Sequence, residues 1–254
     1  MIAGQMTDIK EVMEAGLALL DKGKNLDALR ELSKLEPEFE GKNTDEAADL
    51  YTAISQAYYG MNPKTDENSL PYSDKAFEIH KKNNSKEAMM NDLLYSAFVE
   101  MDCNKSAEAE KRLDSALKIA EELKDNEAYV ELLTTKADLL SGQKRRRKEA
   151  VDIYSQAAEL AKKNGNMGTY FEASVGLLTM RREETDPSKV LEDAMKLIDE
   201  AEKFALSIKA KKDRKSFLED VSAVYDLASD IAMEMENVDE AMQIAGRMSK
   251  ILSK

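Results

Sequence analysis

Two side chains in this sequence could do nucleophilic or acid–base chemistry near neutral pH, and each type occurs once: His80 and Cys103. A catalytic histidine or thiolate needs a partner group within hydrogen-bond reach, and a zinc-type site needs several imidazole or thiolate ligands. One histidine excludes a multi-histidine metal site. His80 stands beside Lys81 and Lys82 in a helical stretch, which predicts an exposed helix position. Cys103 lies among polar turn residues with no histidine near it in sequence, so no activated thiol is expected. A lone cysteine cannot form an intrachain disulfide, which fits a reducing cytoplasm. No glycine-rich phosphate loop of either common type is present. The carboxylates are abundant, and on helical surfaces their ordinary role is solvation. The sequence thus points to no catalytic residue, no metal site and no cofactor.

Charge sets the next bound. The chain carries 50 acidic and 37 basic residues, a formal net charge of −13. Such a surface repels phosphate backbones, so nucleic acid is not the expected partner. Against that background stands one basic run, Lys144, Arg145, Arg146, Arg147 and Lys148. It reads either as a docking loop for acidic protein, nucleic acid or lipid headgroups, or as a solvated loop leading into a helix. A second basic stretch, with Lys209, Lys211, Lys212, Arg214 and Lys215, is expected to join the last two helix pairs. Neither run is interleaved with aromatic residues, as a single-strand-binding surface would be.

These side chains must be positioned by helices. Hydrophobic residues make up 43% of the 254 positions, helix-forming types dominate, and ten glycines and four prolines leave few interruptions. No stretch of about 18 apolar residues occurs, so no membrane-spanning helix is expected. The start of the chain lacks a basic flank and an apolar signal core, and the expectation is a soluble cytoplasmic protein.

The chain also repeats itself. SAEAEKRLDSALKIAEELKD at 106–125 aligns with RKEAVDIYSQAAELAKKNGN at 147–166, which matches Ala109 to Ala150, Leu113 to Tyr154, Ala116 to Ala157 and Ala120 to Ala161. The same phase recurs at Ala28, Leu32 and Leu35, at Ala194, Ile198 and Ala201, and more loosely at Ala241, Ala245 and Met248; a degenerate copy lies at Ala76, Phe77 and Ile79. An acid precedes the leading alanine in Asp27-Ala28, Glu108-Ala109, Glu149-Ala150, Asp193-Ala194 and Glu240-Ala241. A carboxylate in the first turn is favoured by the helix dipole, so the alanine marks the start of the second helix of a pair. A spacing of roughly 40 to 47 residues belongs to helix-pair solenoids.

The first helices are expected at about 7–22, 44–60, 86–102, 127–141, 167–183 and 212–235, each apolar at helical spacing. The predicted architecture is all-α, a superhelix of about six antiparallel pairs in one domain, 1–254, with pairs at 7–40, 44–83, 86–124, 127–164, 167–209 and 212–253. Ala109, Ala116, Ala150 and Ala157 are predicted at close helix contacts.

This pattern resembles the tetratricopeptide repeat family. The matching residues are Gly16 with Ala28, Leu32, Leu35 and Pro37, then Ala97 with Ala109, Leu113 and Ala116, then Ala137 with Ala150, Tyr154 and Ala157. The spacing exceeds the family's usual 34 residues, the first-helix tryptophan is absent and the closing proline is mostly missing, as in long-helix members of the kinesin light chain type. The resemblance implies a concave groove lined by first helices. At the family's groove positions stand Thr52, Gln56 and Tyr59; Asn91, Leu94, Phe98 and Met101; Glu131, Thr134 and Asp138; Tyr170, Ala173, Leu177 and Met180; and Asp226, Asp230 and Met233. Leu94, Phe98 and Leu177 are expected to serve the core instead. The lysine–asparagine clamp that some family members use for chaperone tails is replaced by Met13, Leu17, Thr52 and Gln56, so that ligand is not expected.

The resemblance therefore implies a non-catalytic scaffold that holds a protein or peptide segment, basic or amphipathic given the acidic groove positions. Two alternatives remain open: an electrostatic adaptor acting through 144–148, and a self-associating structural protein, a homo-oligomer built through terminal helices.

Overall fold

The computed structural model describes residues 2–64 and 68–253, with side chains from Ile9 onward. The helices are α1 (Ile2–Leu20), α2 (Asn25–Leu32), α3 (Glu36–Phe39), α4 (Asp45–Met61), α5 (Ser69–Lys82), α6 (Lys86–Asp102), α7 (Ser106–Leu123), α8 (Asn126–Ser141), α9 (Arg147–Asn164), α10 (Met167–Arg182), α11 (Pro187–Ser207), α12 (Lys211–Asp220), α13 (Ser222–Glu234), α14 (Val238–Ala245) and α15 (Arg247–Leu252). Short 3-10 turns at Ser33–Leu35 and Lys144–Arg146 lead into α3 and α9, and no strand occurs among the described residues. No described helix is long and apolar enough to cross a membrane.

The chain divides into two compact units, Met1–Asp125 and Asn126–Lys254. In the first, α1 packs on α2, α4 on α5 and α6 on α7; in the second, α8 packs on α9, α10 on α11 and α13 on α14.

Small residues decide where these helices meet. Ala28, Ala109, Ala116, Ala150, Ala157, Ala194 and Ala201 have no solvent exposure, as the acid–alanine phase predicts. Without a side chain beyond Cβ, two axes can approach toward the short end of the 8–10 Å range for packed helices. Glycine in a first helix goes further. A Cβ at Gly16 would lie 2.5 Å from Leu32 Cδ2, and one at Gly176 would lie 2.4 Å from Tyr154 Cε1. In both places the first helix gives up a side chain so that a large one from the second helix can seat against its backbone.

The reversals share one device. After α1, α5, α6, α7, α9 and α13, one residue enters the left-handed region: Gly23, Asn84, Asn104, Lys124, Gly165 and Glu236. The next amide donates back five residues, as Lys105 does to Glu100 (2.7 Å), Asp125 to Ala120 (2.9 Å) and Asn166 to Ala161 (3.0 Å). This is the Schellman motif, which satisfies the last helical carbonyls and stops the helix sharply. Side-chain caps start several of the following helices: Thr44, Asn166, Asp186 and Asn237 each accept a first-turn N–H.

The α5–α6 seam corrects one expectation. His80 is buried, and its Nδ1 lies 2.6 Å from Asp92 Oδ2. Ser69, Ser73, Ala76 and His80 recur at three- and four-residue steps on α5, and all four are buried. Ser73 meets Ser96 of α6, oxygen to oxygen, at 2.6 Å, and Ser55 donates to the Ser69 carbonyl at 2.7 Å. The flanking lysines suggested a solvated position, but helical phase places His80 on the polar inner stripe while Lys81 and Lys82 point to solvent. Burial raises the Asp92 carboxyl, and its hydrogen bond to His80 opposes that rise.

The last first helix also differs from the expected 212–235 span. The chain leaves helical geometry at Val221 (φ −98°, ψ 12°), which separates α12 from α13, and both Leu218 and Val221 turn into the core. The basic stretch from Lys209 thus closes the α11–α12 connection and opens α12, where the Arg214 guanidinium donates to the Ile208 carbonyl (3.0 Å).

Candidate partner-binding faces

In the first unit, α4 and α6 bring an aromatic face to the surface. Tyr59 of α4 donates its hydroxyl to the Asp102 carboxylate at the end of α6. Its ring meets Tyr95 of α6 edge to face, with centroids 5.9 Å apart at 76°. Desolvation, followed by the bond to Asp102, pushes the Tyr59 phenol up to about 12, so it stays a donor at any physiological pH. Asn91, Tyr95, Phe98 and Asp102 follow one another at four- and three-residue steps, which makes them one stripe of α6. Phe98 is 42% exposed. The expectation that it serves the core is therefore wrong: the core on α6 is built from Met90, Leu93, Ala97 and Val99. Gln56 and Asn91 are exposed, Thr52 and Met101 half-buried, so the groove positions carried over on α4 and α6 all reach the surface.

The second unit presents acid. Glu131 and Asp138 lie two turns apart on α8, and both keep solvent contact. Asp138 accepts a hydrogen bond from the buried Tyr154 hydroxyl of α9. Neighbouring protein raises the Asp138 carboxyl through desolvation, with the Tyr154 bond opposing. Glu172 of α10 is raised by desolvation first, then by the like charges of Asp138 and Glu131. A cavity of about 520 Å³ opens here, lined by Glu131, Thr169, Phe171, Glu172, Val175 and Asp220 among others. Asp226, Asp230 and Met233 are exposed along α13.

Three expected groove residues are corrected. Thr134 is buried, and its hydroxyl donates to the Val130 carbonyl of its own helix (3.0 Å). Met180 is buried with the core of α10. Tyr170 turns away toward α9 and α11: its hydroxyl donates to Glu200 (2.9 Å), and Lys162 sits over its ring at 4.6 Å. On α10 the expected stripe lay two residues out of phase, since Ala173 is also fully buried while Glu172 and Thr179 are exposed. Glu172 is a surface residue, and Tyr95 a half-buried one, that the expected groove positions did not include, and Phe98 is a surface residue expected in the core. The signal for Tyr95 and Phe98 was the Asn91–Tyr95–Phe98–Asp102 spacing.

The basic run proves to be a 3-10 turn and the first turn of α9 rather than a loop. Arg146 makes a forked pair with Glu149 (2.7 and 2.8 Å), which lowers the Glu149 carboxyl, and Arg147 pairs with Glu183 of the neighbouring α10 connection (2.9 Å). Lys144, Arg145 and Lys148 are exposed.

No family model matches the sequence, and no curated protein matches it. Solved structures match the fold. The kinesin light chain TPR-like repeats of Podosopora anserina superpose with a TM-score of 0.63 at 12% identity, covering 76% of this chain and 93% of that one. The apo form of RapI gives 0.66 at 14% identity, over 97% and 99% of the two chains. A Rap protein complexed with Competence and Sporulation Factor gives 0.57 at 18%, over 94% and 73%. What these proteins share with the chain is a tetratricopeptide-like helical repeat fold.

Proposed function

We propose that this tetratricopeptide-like repeat chain is a non-catalytic protein-interaction module that holds a peptide or helical segment of a partner on its first helices. The observation that carries the reading is the α4–α6 face. There an exposed Phe98 stands beside a Tyr59–Tyr95 pair held in place by Asp102. Aromatic side chains offer large contact area with little rotamer freedom to lose, and they dominate interface hot spots. A preformed helical surface needs no loop ordering before it binds. That a neighbour of the same fold is seen with a bound factor is consistent with the reading.

The acidic cluster of the second unit adds a preference. A groove carrying Glu131, Asp138 and Glu172 favours a basic or amphipathic segment, because opposite charge speeds encounter and suppresses wrong partners. The adaptor reading through the basic run is weaker, since Arg146 and Arg147 already pair with Glu149 and Glu183.

The test is affinity capture with the intact chain, followed by the same measurement on Phe98→Ala. Loss of at least about 1 kcal/mol of binding, the usual hot-spot threshold, is the expected result. Replacing Asp226 and Asp230 with Asn should weaken binding less as salt rises. If both variants bind the captured partner normally and a variant with Lys144, Arg145 and Lys148 changed to Ser does not, the adaptor reading replaces this one.

A further inference from the structure

Exposed large apolar side chains gather at one place in the second unit: Met233 (52% exposed), Met235 (41%), Val238 (50%) and Met242 (71%). They belong to one tight hairpin. Glu236, at φ +60°, reverses the chain after α13; its amide donates to the Met233 carbonyl (3.0 Å) and that of Asn237 to Ala232 (2.9 Å). The Asn237 side chain then caps α14. So short a turn keeps Met233, Met235 and Val238 at one end of the α13–α14 hairpin, and Met242 follows one helical turn later on the same face as Val238. The opposite face of α14, with Ala241 and Ile244, is already buried in the core.

Arg182 of α10 pairs with Glu234 at the end of α13 (2.6 Å), and the other acids of this edge outnumber that one cation. From Ser216 to Gly246 the sequence has eight acidic residues and no lysine, arginine or histidine. Asp230, Glu236 and Asp239 are exposed around the apolar side chains. That sign narrows the occupant. A second copy would bring an identical acidic rim against the first, and an anionic lipid surface or a nucleic acid would be repelled for the same reason. A cationic helix is attracted.

We propose that this edge is a second docking surface, separate from the α4–α6 face, that takes a cationic amphipathic helix of a partner protein. Its apolar stripe would lie on Met233, Met235, Val238 and Met242, with lysine or arginine on its flanks facing Glu236 and Asp239. Methionine suits the role because its unbranched, polarisable side chain adapts to varied apolar stripes, and helix-in-groove recognition reads anchors at three- and four-residue steps.

The test uses the full chain and a synthetic leucine–lysine peptide with leucines at i, i+3, i+4 and i+7, against a peptide of the same composition in scrambled order. Binding is read by fluorescence anisotropy and by the ¹³C-methyl signals of labelled methionines. The patterned peptide should bind saturably, shift the Met233, Met235 and Met242 methyls, and bind less tightly as salt rises. Val238→Glu with Met242→Glu should weaken it by about tenfold or more, equal to about 1.4 kcal/mol. Met235→Gln with Met242→Gln, a milder change, should weaken it several-fold and keeps the test open if the double glutamate variant folds poorly. Phe98→Ala should leave the peptide-induced shifts of the Met233, Met235 and Met242 methyls unchanged, so the two surfaces fail or succeed separately. Equal binding of the scrambled peptide, unmoved methyls, or undiminished binding by both hairpin variants overturns the proposal. A concentration-dependent mass that the glutamate variant abolishes overturns it in favour of a second copy.

Discussion

Gly176→Ala would add one methyl group to α10 at the place where Tyr154 crosses it. The new Cβ would stand 2.4, 2.6 and 2.9 Å from Cε1, Cζ and Cδ1 of that ring, all well inside van der Waals contact. The ring is buried and cannot swing into solvent. It must shift as a body, and in doing so it draws its hydroxyl away from Asp138. Overpacking of this kind costs about 1–3 kcal/mol. Weakening the Tyr154–Asp138 bond adds on the order of 1 kcal/mol. Against these, alanine is the better helix former by about 0.8–1 kcal/mol. The net expectation is a loss of about 1–3 kcal/mol, or several degrees in the melting temperature of the second unit. The assay is urea and thermal unfolding followed by circular dichroism. Gly168→Ala on the same helix is the control: a Cβ there meets only Asn166 Oδ1, at 3.8 Å, so propensity should make it neutral or mildly stabilising. Combining Gly176→Ala with Tyr154→Leu removes the crowded ring, and should recover more than additivity allows. A Gly176→Ala variant as stable as the parent would refute the idea that the ring is seated against this backbone.

Two further outcomes follow from the local chemistry. Lys124 holds a left-handed conformation (φ +58°) that costs a non-glycine residue about 1 kcal/mol, so Lys124→Gly should raise the unfolding midpoint by roughly 0.5–1 kcal/mol, and an unchanged or lower midpoint would contradict the strain. Glu172 has a carboxyl raised above its ordinary value, so the folded state binds the proton more tightly than the unfolded chain does. Its ionised form is therefore a liability that grows as pH rises from the unfolded value, near 4.5, to the folded one, and disappears below the unfolded one. Glu172→Gln should stabilise the protein at pH 7, with the gain shrinking as the titration is carried toward pH 4.

The repeat phase was legible in the sequence because each pair obeys the same local rule. An acid favours the helix start, an alanine permits close approach, and a large apolar residue follows four positions later; Ala109, Leu113 and Ala116 then bury themselves with no exposure. Gly16 facing Leu32 was legible for the same reason. The turns were legible at Gly23, Asn104, Gly165 and Glu236–Asn237, where glycine or asparagine stands at or beside the positive-φ residue, but not at Asn84 or Lys124. The rest depended on which way each face turned. A helix that is apolar on most of its circumference does not announce its groove side, and one or two residues of phase separate Tyr170 and Thr134 from the exposed Glu172 and the half-buried Thr135. His80 and Asp92 are twelve positions apart, and only the antiparallel packing of α5 on α6 makes them a buried pair. Composition and spacing fixed the helices, because those depend on neighbours a few residues away. The tertiary structure alone decided which polar and aromatic side chains face solvent, because that depends on the neighbouring helix in space.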